Sequence, residues 1–296
     1  MRDLVRLRGV RLRWGRIRGS YSGPVGLSEL DGRLAGLGSV LVAFSGGADS
    51  AFLLARAALV LGPDRVVAAT ALSASLPACE LAPARAFAAG LGVRHETPQT
   101  HELAREGYRA NGGDRCFFCK AELLDVLAPL RAELGLAEVA TGTNADDVVA
   151  GFRPGIRAAA ERGAVTPLAD AGLTKAEVRA ASREMGLPTW DKPAAACLSS
   201  RIAYGVAVTP AGLARVERAE TALRAALAGA GLPVRDLRVR DLGGDRARIE
   251  VDAELAGVLA ARPDLLAGVR DFGTVTVDPR GFRSGSMNEA LPGTYR

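Results

Sequence analysis

Short valine-rich runs alternate with alanine- and leucine-rich stretches of helical period through the first two-thirds of the chain. "SVLVAF" (39–44) predicts a strand, and "SAFLLARAALVLG" (50–62) a helix that Gly62 ends. "RVVAATAL" (65–72) predicts a strand, "LAPARAFAAGLG" (81–92) a helix and "VRHETP" a short strand. A helix over 121–136 and a strand over 138–142 follow. "TKAEVRAASREMG" (174–186) opens with Thr174 and has Glu177 three residues on, which predicts a capping box. Strands alternating with helices indicate βαβ units and a parallel sheet buried on both faces. The fold class expected is therefore α/β.

After about residue 200 the pattern changes. Thr209 and Pro210 predict the cap and first position of a long helix. "DLRVRDL" and "RARIEVD" have period 2 and are separated by Gly243-Gly244, the pattern of a hairpin. "ELAGVLAARPDLL" and "GTVTVDP" add a helix and a strand. The domains expected are a basic arm over 1–22, a nucleotide-handling α/β domain over 23–200 and a smaller α+β domain over 201–296, for substrate binding or oligomerisation.

Composition changes this picture in one place. The chain of 296 residues carries a net charge of +5, but residues 1–18 hold seven arginines against one acid, Asp3. The rest is one charge negative, so an evenly basic nucleic-acid binder is not expected. The arm reads as a disordered tail or a mis-assigned start. No apolar run reaches the roughly 18 residues that span a bilayer. The N-terminus lacks the apolar core of a secretory signal, so the expected location is cytoplasmic. Four cysteines in a reducing compartment argue against a disulfide framework.

The seam between the first strand and helix carries the chemistry. Ser45-Gly46-Gly47-Ala48-Asp49-Ser50 follows an apolar run and opens a second one. A helix N-terminus there offers unpaired N–H groups and partial positive charge to a phosphate. The glycines let the backbone approach an anion, Ser45 and Ser50 add hydroxyls, and Asp49 can cap the helix or hold Mg²⁺. Neither the Walker pattern nor the dinucleotide fingerprint is present. SGGADS instead resembles the PP-loop, S-G-G-x-D-S, of N-type ATP pyrophosphatases. That resemblance implies adenylation of a substrate oxygen by ATP, followed by displacement of AMP. Asn144, Asp146 and Asp147 in "GTNADD" follow a strand and can reach Mg²⁺ or pyrophosphate; a solvated acidic loop is the plainer alternative.

Cys116 and Cys119 form C-F-F-C, and Cys197 lies 78 residues beyond Cys119. Inert buried cysteines, structural zinc and a [4Fe–4S] cluster on three thiols are all open on spacing alone. Zinc is disfavoured because His95 and His101 are the only histidines and neither is spaced as a partner. A cluster on three thiolates leaves one iron able to carry hydrosulfide.

Longer stretches narrow the choice. "RCFFCKAEL", "ATGTNADD", "FRPG", "PLADAGLTKAEVR", "GLPTWDKPAAACLSSRIAYG", "RVRDLGGDRARIEV" and "GFRSGSMNEAL" resemble successive motifs of the LarE family, from about residue 28 to 290. The resemblance implies ATP-dependent sulfur transfer to pyridinium-3,5-biscarboxylic acid mononucleotide, in the making of the nickel-pincer cofactor of lactate racemase. It places the sulfur-bearing cysteine at Cys197. Some members sacrifice that cysteine's sulfur; others, with C-x-x-C, use a [4Fe–4S] cluster, and Cys116, Cys119 and Cys197 put this chain with the second group. It implies ATP and pyrophosphate at Ser45, Gly46, Gly47, Asp49 and Ser50 and substrate phosphate at Ser200, Arg201, Arg238 and Arg240; Asp49 and Asp147 are the candidates for Mg²⁺ from their own chemistry. Glu220 is a weaker carry-over to the same site. Without the resemblance, Arg238 and Arg240 read equally well as an exposed hairpin face. One departure is the doubled Gly243-Gly244 where the family has a single glycine, which bears on positions after 243. The expected partners are a small pyridinium mononucleotide and further copies of the chain, with no nucleic acid and no membrane. The competing readings are a PP-loop tRNA thiolation enzyme and a non-catalytic Fe–S or ATP-binding partner protein.

Overall fold

The computed structural model describes residues 25–151, 153–193 and 197–290, and two short strands in the basic arm, Arg6–Leu7 and Val10–Arg11. Those strands pair antiparallel, so the arm expected as a tail contains a ribbon at these positions. The rest of the arm lies outside the described residues.

The chain divides into two compact units, and neither is one continuous segment. The first comprises Met1–Ser73, Ala78–Thr100 and Cys119–Ala195; the second comprises Ala74–Pro77, His101–Phe118 and Ala196–Arg296. The second unit thus takes two segments from inside the range that the sequence assigned to the first.

In the first unit, β1 (Val40–Ala43), β2 (Val66–Ala69), β3 (Arg94–Glu96) and β4 (Glu138–Thr141) form a parallel sheet in the order β3-β2-β1-β4. In register, Val40 faces both Val66 and Glu138. Both sheet faces are covered, as the unbroken apolar runs predicted. Val40, Val42, Val66 and Ala68 join one core, with Phe52 and Leu53 of α2 (Ala48–Leu61) and Phe87 of α3 (Ala78–Gly90). Leu41, Ala43, Val67 and Ala69 join the other, with Leu124 and Leu127 of α4 (Arg115–Glu133) and Ala159 of α5 (Pro154–Glu161). This period-2 alternation is that of a doubly covered sheet. On α6 (Lys175–Glu184), the Thr174 side chain accepts from Glu177 N and Glu177 reaches back, which is the expected capping box.

Two helix boundaries differ from expectation. A helix over Val25–Leu37 precedes β1; its Leu27, Leu30 and Leu34 are buried at helical spacing. The helix expected from 121 begins at Arg115. The apolar period becomes regular only from Ala121, whereas the earlier turn is fixed by polar bonds from Arg115 that pattern does not reveal.

In the second unit, β5 (Leu237–Asp241) and β6 (Arg246–Val251) form the expected hairpin, and a parallel strand, Thr274–Val277, pairs with β6. Gly243, Gly244 and Asp245 all take positive φ in the turn. The doubled glycine is absorbed there, and Arg238 still faces Glu250 while Arg240 faces Arg248. The long helix Pro210–Gly229 starts at the predicted cap, where Gly212 N donates to Thr209 Oγ1 at 3.0 Å. The segment over 101–118 belongs to this unit for a polar reason. Buried Asn111 donates through Nδ2 to the carbonyls of Ala203 and Val206, both at 2.8 Å, and Val208 N donates to Arg109 O at 2.9 Å.

Candidate functional site

The first unit presents its loop where a doubly wound sheet binds ligands. β1 is flanked on one side by β2 and on the other by β4, so the connections diverge at its carboxyl end. Phe44 to Gly47 leave β1 there, and Gly47 is the N-cap of α2. Gly46 has φ +72, a conformation that favours glycine. The hydroxyls knit the loop: Ser45 Oγ and Ser50 Oγ lie 3.1 Å apart, Gly47 N donates to Ser45 Oγ at 3.3 Å, and Ser50 Oγ donates to Gly47 O at 3.2 Å. At the end of β4, a Cβ on Gly142 would sit 2.8 Å from Ser50 N. Glycine at 142 is what lets this strand end press against the first turn of α2. Sequence reasoning did not single it out.

Asp49 stands in the first turn of α2, and its Oδ1 is buried without a hydrogen-bond partner among the described residues; so is Asn144 Nδ2. Burial pushes the Asp49 carboxyl above the usual range. Lys175 opposes that shift, Asp147 adds to it, and Arg179 and the adjacent Asn144 amide oppose it; that amide is near enough to act on the carboxyl but makes no bond of hydrogen-bond geometry to Oδ1. Two carboxylates that repel each other beside an orphaned oxygen suit a divalent cation. Asp49 and Asp147 are the residues here that could hold a divalent cation. Asp147 also closes a capping box with Asn144 and lies 3.7 Å from Arg153 Nη2. Asp146 is engaged elsewhere, where its Oδ2 accepts from Lys175 N at 2.8 Å at the start of α6.

A lysine missed in the sequence meets the loop. Lys192 Nζ donates to Gly46 O at 3.0 Å and to Glu80 Oε2 at 2.5 Å.

The second unit holds the arginines, and none forms an exposed face. Arg201, Arg238 and Arg240 are only 4–5% exposed, and every residue of β5 is buried. Arg201 meets Glu220 with two parallel bonds, Nε to Oε1 at 2.9 Å and Nη2 to Oε2 at 3.2 Å. Its Nη1 donates to Cys197 O and to Ser200 Oγ. Glu220 Oε1 also accepts from Val239 N. Glu220 therefore orients Arg201 from the long helix. Arg240 places Nε and Nη2 on Glu250 Oε2 and Nη1 on Ser200 O. Fully buried Glu250 also accepts from Ser286 Oγ and Arg248 Nη2; sequence reasoning missed all three. Arg238 lies over the Phe282 ring. Burial pushes its pKa down to about 10, Arg201 and Arg240 acting the same way and Glu220 opposing. Three guanidiniums act on one another here, with Glu220 and Asp236 opposing at Arg238 and Glu250 paired to Arg240. Guanidiniums are the donor type that binds a phosphate with paired bonds.

Cys116 and Cys119 stand one turn apart on α4, which puts them on one helix face. Cys116 is exposed; Cys119 and Cys197 are half-buried. Cys197 Sγ lies 2.9 Å from Ser199 Oγ. Arg115 joins the neighbourhood of two of these thiols. Its Nη1 donates to Asn111 Oδ1 at 2.6 Å and to Ser199 O at 2.9 Å. Burial works against its charge, but the sulfurs of Cys197 and Cys116 outweigh this and raise its pKa. Among the described residues no three His, Cys, Asp or Glu side chains are gathered as a metal site. Three thiols are the donor type that a cluster takes. No helix of the described residues is long and apolar enough to cross a membrane.

No family model matches the chain. A protein of Lactiplantibacillus plantarum named pyridinium-3,5-bisthiocarboxylic acid mononucleotide synthase is 35% identical over 261 residues, covering 87% of this chain and 92% of its own length. An uncharacterised Synechocystis protein is 44% identical over 260 residues, 86% of this chain and 94% of its own. An uncharacterised Methanocaldococcus jannaschii protein is 27% identical over 163 residues, 55% of this chain and 61% of its own.

Proposed function

Because the chain belongs to the LarE family of pyridinium-3,5-bisthiocarboxylic acid mononucleotide synthases, we propose that it is an ATP-dependent sulfur transferase that converts the carboxylates of pyridinium-3,5-biscarboxylic acid mononucleotide to thiocarboxylates. The observation that carries this reading is the loop Ser45–Ser50 at the switch point of the parallel sheet, with Asp49 Oδ1 left unbonded beside it.

The loop N–H groups and hydroxyls bind the phosphates of ATP, and Asp49 and Asp147 would hold Mg²⁺, which would offset the phosphate charge. A substrate carboxylate oxygen attacks the α-phosphorus, the bond to the β-phosphate oxygen breaks, and pyrophosphate leaves with that electron pair. Sulfide then attacks the acyl carbon and AMP departs; AMP is a far better leaving group than oxide. Cys116, Cys119 and Cys197 would be the residues to hold a [4Fe–4S] centre, which would supply an open iron for sulfide. Arg201, Arg238 and Arg240, oriented by Glu220, Glu250 and Ser200, bind the substrate phosphate and fix the substrate far from its reacting atoms.

The test is pyrophosphate release from ATP in the presence and absence of the pyridinium mononucleotide. Release that requires this compound supports the reading, and release triggered by tRNA instead would replace it with tRNA thiolation. The burial of Arg201, Arg238 and Arg240 already favours one small phosphate over a nucleic-acid backbone. Arg238→Ala is expected to raise KM for the mononucleotide about 10- to 100-fold with little change in kcat, because the contact persists from ground state to transition state. Arg240→Ala should raise KM similarly and also destabilise the protein by about 1–3 kcal/mol, since Glu250 keeps Arg248 and Ser286 but loses its two bonds from Arg240. Unchanged KM in both variants would move the phosphate site elsewhere.

A further inference from the structure

We propose that Lys192 is a further residue of the adenylation machinery: the cation that binds the β- and γ-phosphates of ATP and then the departing pyrophosphate, exchanging its ion pair with Glu80 for theirs. The inference rests on the reading of Ser45–Ser50 as the ATP loop and adds a residue to it.

Charge is the first consideration. The stretch "FSGGADSAFLL" (44–54) contains no lysine or arginine. Asp49, Asp147 and Glu80 bring negative charge to the loop, and Lys175 and Arg179 of α6 act on Asp49 rather than on the Gly46 side. A triphosphate bound there brings several more, and pyrophosphate leaves with an additional electron pair on its bridging oxygen. Backbone dipoles and one divalent cation gain much from a fixed positive side chain on the leaving side.

Position is the second. Lys192 Nζ lies 3.0 Å from the carbonyl oxygen of Gly46, so the ammonium sits against the loop backbone. A Cβ at Gly46 would lie 3.8 Å from that nitrogen and 3.6 Å from Ala84 Cβ, and φ +72 would strain any other residue. An ammonium has three N–H donors. Two go to Gly46 O and Glu80 Oε2, leaving one for a phosphate oxygen even before the Glu80 contact is exchanged.

The root of the side chain is held independently of its tip. Arg179 on α6 donates from Nη1 to Trp190 O at 3.3 Å and from Nη2 to Lys192 O at 2.9 Å. Lys192 N donates to Thr189 O at 3.1 Å. The backbone is thus fixed while the four-carbon stem lets the ammonium move between acceptors. A partly exposed lysine–glutamate pair adds little stability by itself, so a stabilising role does not account for this anchoring. The lysine stays protonated throughout; it offsets charge on the leaving group and transfers no proton.

Calorimetric titration of the full chain with ATP, pyrophosphate and AMP, each with Mg²⁺, tests the assignment. Lys192→Met should weaken pyrophosphate and ATP binding about 10- to 100-fold and leave AMP within about twofold of wild type. Lys192→Arg should restore most of the loss. Glu80→Gln removes the same ion pair but leaves the cation, so it should keep or tighten pyrophosphate binding while its melting temperature shifts like that of Lys192→Met. Equal losses for ATP and AMP in Lys192→Met, or equal pyrophosphate losses in Lys192→Met and Glu80→Gln, would make Lys192 a structural prop and overturn the proposal. Wild-type protein that binds neither ATP nor pyrophosphate would instead remove the loop assignment on which it rests.

Discussion

Asp49→Asn is expected to cut pyrophosphate release by about 10²- to 10³-fold while leaving the melting temperature unchanged or higher. Both effects have one origin. The carboxylate is buried with Oδ1 unbonded, and Asp147 repels it. Such a group makes the folded protein less stable than a neutral side chain of the same shape would. The sign follows from the raised pKa. Folding favours the protonated form, so stability is fullest below the ordinary carboxyl pKa and is lost as pH rises through the raised one. At neutral pH the native state carries that cost, and asparagine removes it. The same change removes a charge needed to hold Mg²⁺ on the triphosphate, so activity falls while stability does not. Activity of the wild-type protein should rise with pH over the range where stability declines, because only the carboxylate binds the metal. Thermal melts and pyrophosphate assays on one preparation check both effects. Wild-type release rates in Asp49→Asn would remove this loop from the reaction.

Much of this was legible in the chain because the signals are local. Strand β1, the glycine-serine loop and α2 fall within one 22-residue stretch, and each supports the others: apolar run, φ-permissive glycine, N-cap, apolar run again. The caps at Thr174 and Thr209 were likewise local. What pattern did not reveal is long-range. Lys192 meets Gly46 across 146 residues, and its neighbours "WDKP" give no period that points to a loop. Glu250 reads as one more polar position in an alternating strand, yet it is the most enclosed carboxylate of the arginine cluster. Its burial depends on Ser286, 36 residues on. The arginines themselves were legible as a pair on one strand face, but not their burial. An exposed hairpin and a covered one have the same period, and only the long helix and the segment around Ser286 decide between them. The helix over 25–37 is carried by the spacing of Leu27, Leu30 and Leu34, a local signal of the same kind.

Replacing Cys116, Cys119 or Cys197 by alanine should each strip the protein of iron and acid-labile sulfide and end multiple turnover with added sulfide, whereas Cys79→Ala should do neither. The three thiols are expected to act as a set. Cys116 and Cys119 share a helix face one turn apart, so their sulfurs can meet one group. Cys197 lies at the start of the turn Leu198–Arg201, whose Ser199 carbonyl accepts from Arg115. Arg115 is the residue before Cys116, and the sulfurs of Cys116 and Cys197 both act on its charge. Cys79 stands on a different helix, α3, beside the Glu80 that pairs with Lys192. The sacrificial route predicts a different pattern: Cys197→Ala alone abolishes transfer, Cys116→Ala and Cys119→Ala keep it, and the wild-type chain loses the mass of H₂S for each sulfur delivered. Iron and sulfide analysis of anaerobically purified protein, followed by intact-protein mass spectrometry after turnover, separates the two. A dehydroalanine at Cys197 in iron-replete protein would overturn the cluster and leave the adenylation chemistry of Ser45–Ser50 standing, because that half of the reaction ends with pyrophosphate release, before sulfur is needed.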